Sequence, residues 1–126
     1  MTLKHSIPSL SEALPGHVRG AAGCSPESAT DRKFWFGLAR SVMDQVAPQW
    51  EATTKAYAAT RQQHYFSAEF LMGRALLNNL TNLGMLEEAT EAVAATGRNL
   101  SDVLEAESDA ALGNGGLGRP ARRLLP

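Results

Sequence analysis

Apolar side chains set the clearest rhythm in this chain from residue 34 onward. Phe34, Leu38, Val42, Val46 and Trp50 recur every fourth position, with Trp35, Ala39 and Met43 beside them. That spacing places one apolar stripe along a long amphipathic helix, with Ser28 or Thr30 as its N-cap. Pro48 falls inside the pattern, lacks a backbone donor and crowds the preceding turn, so a kink there, or a second helix beginning at Pro48, is predicted. Before the stripe the pattern is weak, because Pro8, Pro15, Gly16, Gly20 and Gly23 interrupt it. A short helix from about Ser9 to Ala22 is all this stretch allows. Around Gln62 to Ala68 the run His64-Tyr65-Phe66-Ser67 reads as a buried strand, and it is the one convincing strand of the chain. Three helical pieces follow, Arg74 to Asn82, Leu86 to Thr96 and Leu100 to Glu107, punctuated by Gly84 and by Gly97-Arg98-Asn99. Glu87, Glu88 and Glu91 lie near the start of the second piece, where the positive end of a helix dipole favours them.

Composition narrows the function classes. The 126 residues are 44% hydrophobic with a formal net charge of −1, which suits one soluble globular domain. Acids and bases are nearly balanced, so a polyanion-binding face is not expected, and no nucleic-acid partner is predicted. No run approaches the roughly twenty apolar residues needed to cross a bilayer, and the segment from Met1 to Leu14 lacks the apolar stretch of a secretory signal. Cys24 is the single cysteine and cannot form an internal disulfide, so a cytoplasmic location is expected. His5, His17 and His64 sit in no nucleophile or metal-ligand spacing, and no metal site is expected.

The most informative local feature is Leu112-Gly113-Asn114-Gly115-Gly116-Leu117-Gly118-Arg119. Glycines without a Cβ let several backbone N–H groups approach one oxyanion, which suits phosphate. A tight turn is the competing reading of the same letters. Gly113, Gly115 and Gly118 also satisfy the dinucleotide spacing, but the approach Glu105-Ala106-Glu107-Ser108-Asp109 is acidic and poor in β-formers. A dinucleotide-binding oxidoreductase fragment therefore stands as an alternative, and a non-catalytic helical interaction module as another.

Three segments together resemble the glycogen and α-glucan (maltodextrin) phosphorylase family: Ala29-Thr30 with the aromatic helix through Trp50, then Tyr65 through Arg74, then Asp109 through Arg119. Asn78-Asn79-Leu80 and Asn82-Leu83-Gly84 between them also suit that family. The resemblance covers residues 17–119 and implies the amino-terminal part of a catalytic domain. Residues 1–16 are then a weakly ordered tail and residues 120–126 an aberrant tail. The implied fold is α/β: a mostly helical portion with one β-strand of a large two-domain, GT-B-like glycosyltransferase, incomplete here. The implied activity is cleavage of α-1,4-glucan by inorganic phosphate to glucose 1-phosphate, by a pyridoxal 5′-phosphate enzyme that is a homodimer when complete. On that resemblance Gly115 and Gly116 match the loop whose amides face the substrate and cofactor phosphates. Asn114 and Leu117 match positions by the sugar pocket, and Glu69 matches an acidic residue at the active-site floor. Asn114 as a turn residue, Leu117 as a packing residue, Arg119 as a solvated side chain and Glu69 as an ion-pair partner of Arg74 are the competing roles.

The resemblance also has gaps. Lys4, Lys33 and Lys55 are the only lysines, and none stands in a context like the family's cofactor lysine, so this chain alone is expected to be inactive. Ser6, Ser9 and Ser11 lack the basic setting of a regulatory phosphoserine, Thr53 to Arg61 lacks the nucleotide contacts, and Cys24 replaces a common lysine. Beyond Arg119 the family continues Leu-Ala-Ala-Cys-Phe-Leu, whereas this chain reads Pro120-Ala121-Arg122-Arg123-Leu124-Leu125-Pro126. Codons compatible with that tail, read one base later, restore the family's letters, which suggests a frameshift. A strand without its ladder partners is also expected to leave the isolated chain unstable.

Overall fold

The computed structural model describes residues 8–67 and 70–112. In chain order the elements are α1 (Leu10–Ala22), α2 (Asp31–Tyr57), β1 (Phe70–Leu71), α3 (Leu76–Asn82), α4 (Leu86–Ala94), α5 (Leu100–Glu105) and β2 (Ala111–Leu112).

Helix α1 starts where a capping box allows it. The Ser9 hydroxyl accepts from the Glu12 backbone N–H, and the Ser9 backbone N–H donates to the Glu12 carboxylate at 2.9 Å. Those bonds hold the Glu12 carboxyl below its ordinary range, the backbone bond from Ser9 being the larger cause. Pro15 sits inside the helix, and Gly23, in the left-handed region at φ 67°, ends it with its N–H on the Arg19 carbonyl. The boundary expected between residues 16 and 17 thus falls within a helix whose Leu10, Leu14 and Val18 are buried.

Helix α2 is capped by Thr30 and runs unbroken for 27 residues. Pro48 lies inside it, so of the two expected outcomes, a kink or a second helix, the second helix does not form; the proline withholds only its own donor, and the turn before it is tied to α1 through Asp44 and His17. Phe34, Leu38 and Val42 are buried as the stripe predicts, but Val46 is only half-buried and Trp50 is 61% exposed. The stripe continues along the helix, whereas α1 covers only its first half. The two helices meet closely at Gly37, where an added Cβ would lie 2.5 Å from Val18 Cγ2 and 2.7 Å from Val18 Cα. Across the same contact His17 Nε2 and Asp44 Oδ2 are 2.7 Å apart.

The last three helices close the core through Leu76, Leu80, Ala89, Ala92, Val93, Leu100 and Val103. Gly84 and Gly97, both at positive φ, punctuate them where expected. After α3, the Met85 N–H reaches the Leu80 carbonyl and the Gly84 N–H the Thr81 carbonyl, the paired bonds of a Schellman stop. Arg98, just past α4, fastens this half to the α1–α2 turn. Its guanidinium donates to the carbonyls of Pro26, Glu27 and Ala29, pairs with Asp31, and lies 4.9 Å from the centre of the Phe34 ring.

Two short strands replace the expected single buried one. Residues 61–67 carry no strand, and Tyr65 and Phe66 are 78% and 89% exposed. A strand needs a neighbour for its ladder, and the pairing among the described residues lies three residues later. There β1 and β2 form an antiparallel pair, Phe70 opposite Leu112 and Leu71 opposite Ala111. The described part of the chain is therefore mostly helical, with one two-residue ladder.

Candidate functional site

Glu69, Asn114, Gly115, Gly116 and Leu117, on which the site prediction rests, lie outside the described residues, as does Arg119. What the structure gives is their flanks. Strand β1 begins directly after Glu69, and β2 ends directly before Gly113. Their pairing joins these two stretches, which are some forty residues apart in sequence, on adjacent strands. The Met72 N–H extends the ladder to the Ala110 carbonyl at 3.3 Å, and the Ala110 N–H reaches the Gly73 carbonyl at 3.4 Å. Gly73 has φ 73°, a left-handed turn that redirects the chain from β1 toward α3 and strains any other residue.

Glu107, which the sequence reading did not single out, anchors this corner. Helix α3 has Ala75 at its N-cap, which offers no side-chain acceptor. The Glu107 carboxylate, 8% exposed, takes that role from outside the helix. It accepts from the Ala75 N–H at 2.8 Å and from the Leu76 N–H at 3.1 Å. A buried carboxylate is tolerated here because fixed donors replace its water. The signal that could have found it is the missing cap: Gly-Arg-Ala-Leu opens a helix with no Ser, Thr, Asp or Asn. Beside it Arg74 pairs with Glu105 at 2.7 Å. Glu69, for which the sequence left a pairing with Arg74 open, lies outside the described residues. Arg74, Leu77, Asn78, Thr81, Leu104, Glu105 and Glu107 line a cleft of about 430 Å³ here.

The remaining candidates sort themselves by surroundings. His17 is bonded to Asp44, and His64 stacks near Phe66 with ring centres 6.3 Å apart. Among the described residues no group of His, Cys, Asp and Glu could hold a metal, and no helix is long and apolar enough to cross a membrane. Ser9 serves as a helix cap. A Schiff-base lysine needs an enclosed pocket. Lys33 instead donates from an exposed position to the Ala22 carbonyl, and Lys55 pairs with Glu51 on the surface, so neither fits as an attachment point for pyridoxal phosphate. The dinucleotide alternative requires a parallel strand leading into its first glycine, and the strand before Gly113 is antiparallel to its partner.

Comparison with known proteins decides among these readings. The chain is 43% identical over 119 residues to the α-1,4 glucan phosphorylase L isozyme, chloroplastic/amyloplastic, of Ipomoea batatas, covering 93% of this chain and 12% of that protein. The chain is homologous to the glucan phosphorylases. The glycogen phosphorylase of Chlamydia pneumoniae is 38% identical over 120 residues, 94% of this chain and 15% of that protein. The liver form of glycogen phosphorylase from Homo sapiens is 41% identical over 99 residues, 77% of this chain and 12% of that protein. No family model matches the chain. The chain spans between 12% and 15% of the length of these relatives, and the first two match more than nine-tenths of it.

Proposed function

We propose that this chain is the amino-terminal, phosphate-loop segment of an enzyme that cleaves α-1,4-glucan with inorganic phosphate and releases glucose 1-phosphate. The observation that carries the reading is the match at 43% identity over 119 residues to a glucan phosphorylase. In the complete enzyme, a cytoplasmic homodimer using pyridoxal 5′-phosphate, the Gly115 and Gly116 amides bind phosphoryl oxygens. Asn114 and Leu117 border the sugar, and Glu69 sits at the floor of the site. Two phosphates side by side repel, so fixed donors aimed at them lower the cost of bringing them together. The β1–β2 ladder supports this reading, because it ties the stretch after Glu69 to the stretch before the glycine loop. The cofactor, when bound, supplies phosphate-mediated proton exchange with the substrate phosphate; no lysine described here attaches it.

Grafting tests the assignment. Residues 17–119 are exchanged for the matching segment of the Chlamydia pneumoniae glycogen phosphorylase, and glucose 1-phosphate release from glycogen is measured. Phosphorolysis within about tenfold of the parent is expected, one decade corresponding to about 1.4 kcal/mol of the barrier. A folded, cofactor-loaded chimera with no phosphorolysis refutes it.

A further inference from the structure

The β1–β2 ladder is too short and too uniform in sequence to set its own register. Phe70, Leu71, Ala111 and Leu112 are all apolar. Register is ordinarily fixed by an alternation that buries one face of a strand and wets the other, and these four residues offer none. A slip would still matter, because the pair Phe70–Leu112 stands next in sequence to Glu69 on one strand and to Gly113 on the other.

We propose that Glu107 is the pin that sets this register, and thereby a positioning residue for the phosphate site of the function proposed above, on which this inference rests. Each step along β1 is matched by one step back along the opposite stretch, through Phe70–Leu112, Leu71–Ala111 and the bond from the Met72 N–H to the Ala110 carbonyl. Gly73, at φ 73°, then turns the chain away, and main-chain pairing stops with the bond from the Ala110 N–H to the Gly73 carbonyl. The same count carried on to Ala75 arrives at Glu107. There the carboxylate takes over from the main chain, with Oε1 accepting from the Ala75 N–H at 2.8 Å and Oε2 from the Leu76 N–H at 3.1 Å. Because it bridges two successive donors, a slip in either direction leaves one of them without its acceptor. An orphaned N–H costs more than the hydrogen bond contributes when made.

The pin is itself seated on the helical scaffold. The Glu107 N–H donates to the Leu104 carbonyl at 3.2 Å, closing the end of α5, and the buried Leu100 and Val103 hold α5 in the core. The carboxylate is buried, so fixed amides rather than water set its place. Arg74 and Glu105, the other pair across this corner, are long and exposed, and a surface ion pair of that kind holds its geometry weakly. One side chain therefore carries the position of the scaffold into the relation between residues 70–76 and 107–112.

Two measurements test this. In the 126-residue chain, amide exchange is followed at Met72 and Ala110, whose ladder bonds do not involve the Glu107 carboxylate. It speeds up at least about tenfold in Glu107→Ala and less in Glu107→Gln, which keeps an acceptor. In the Chlamydia pneumoniae chimera, folded and cofactor-loaded, Glu107→Ala lowers kcat/KM for phosphate about 10- to 100-fold, the scale of a small misplacement of binding groups, and Glu107→Gln recovers part of the loss. Val93→Ala, which empties a buried site of α4 and lowers the urea midpoint, stays within about twofold of the parent. Exchange at Met72 and Ala110 that is the same with and without the Glu107 carboxylate overturns the pin alone. Phosphorolysis that survives Glu107→Ala, or that falls equally in Val93→Ala, overturns the positioning role. An unmutated chimera without phosphorolysis removes the function reading and the positioning role with it, while exchange still decides the pin.

Discussion

The α1–α2 pair and the β1–β2 ladder each bring two stretches of the chain together, the first through buried side chains and the second through a few main-chain hydrogen bonds. Leu10, Leu14 and Val18 of α1 meet Phe34, Leu38 and Val42 of α2 in a continuous core, and Arg98 clamps its far end. The ladder has two residue pairs, two flanking bonds and the Glu107 carboxylate behind it. The robust half of the segment is therefore a scaffold, and the half that flanks the glycine loop is held lightly. A two-residue ladder takes its final geometry from whatever packs on it, whereas the helical scaffold specifies itself.

The sharpest way to break that comparison is Phe34→Ala, which empties the centre of the scaffold. A loss of about 3 to 5 kcal/mol is expected in urea unfolding followed by helical circular dichroism, more than most single sites cost. Gly37→Ala comes next: the new methyl overlaps the Val18 backbone, which cannot rotate away, and about 1 to 3 kcal/mol is expected in the same assay. Glu107→Gln sharpens the other side of the comparison. It weakens a charged acceptor serving two backbone donors, for about 1.5 kcal/mol, and hydrogen exchange should speed up first at Ala75 and Leu76 while α1 and α2 stay protected. Equal exchange throughout would show that scaffold and ladder are one cooperative unit.

The smallest effect concerns acid. Because bonds from Ser9 lower the Glu12 pKa in the folded state, its contribution is present above the ordinary carboxylate pKa and fades as the pH falls through the lowered value. Fraying of α1 below that range, absent in Glu12→Gln, is expected by amide exchange at the first turn.

Much of the helical scaffold was legible because its signals are local. A four-residue apolar period, a Thr cap and glycines at Gly23, Gly84 and Gly97 each act within one or two turns. Three features were not. Helix α2 runs unbroken through Pro48, an outcome the local rule for proline does not anticipate. The strand around Tyr65 and Phe66 was read from β-forming letters, yet a strand also requires a neighbour, and the pairing fell at Phe70–Leu71. Glu107 joins α3 from thirty-one residues away, a distance over which sequence period carries no information. The site itself was legible only as a family resemblance carried by Glu69 and the Gly113–Gly118 letters. The local physics of that loop alone favoured a tight turn.

The most direct test places the loop under load. In the Chlamydia pneumoniae chimera carrying residues 17–119, Gly115→Val with Gly116→Val should lower kcat/KM for phosphate about 100- to 1,000-fold, the scale of losing preorganised oxyanion donors. Cofactor content and the helical spectrum should not change. Unaltered phosphorolysis with both glycines replaced would contradict the assignment of this bend to the phosphoryl oxygens.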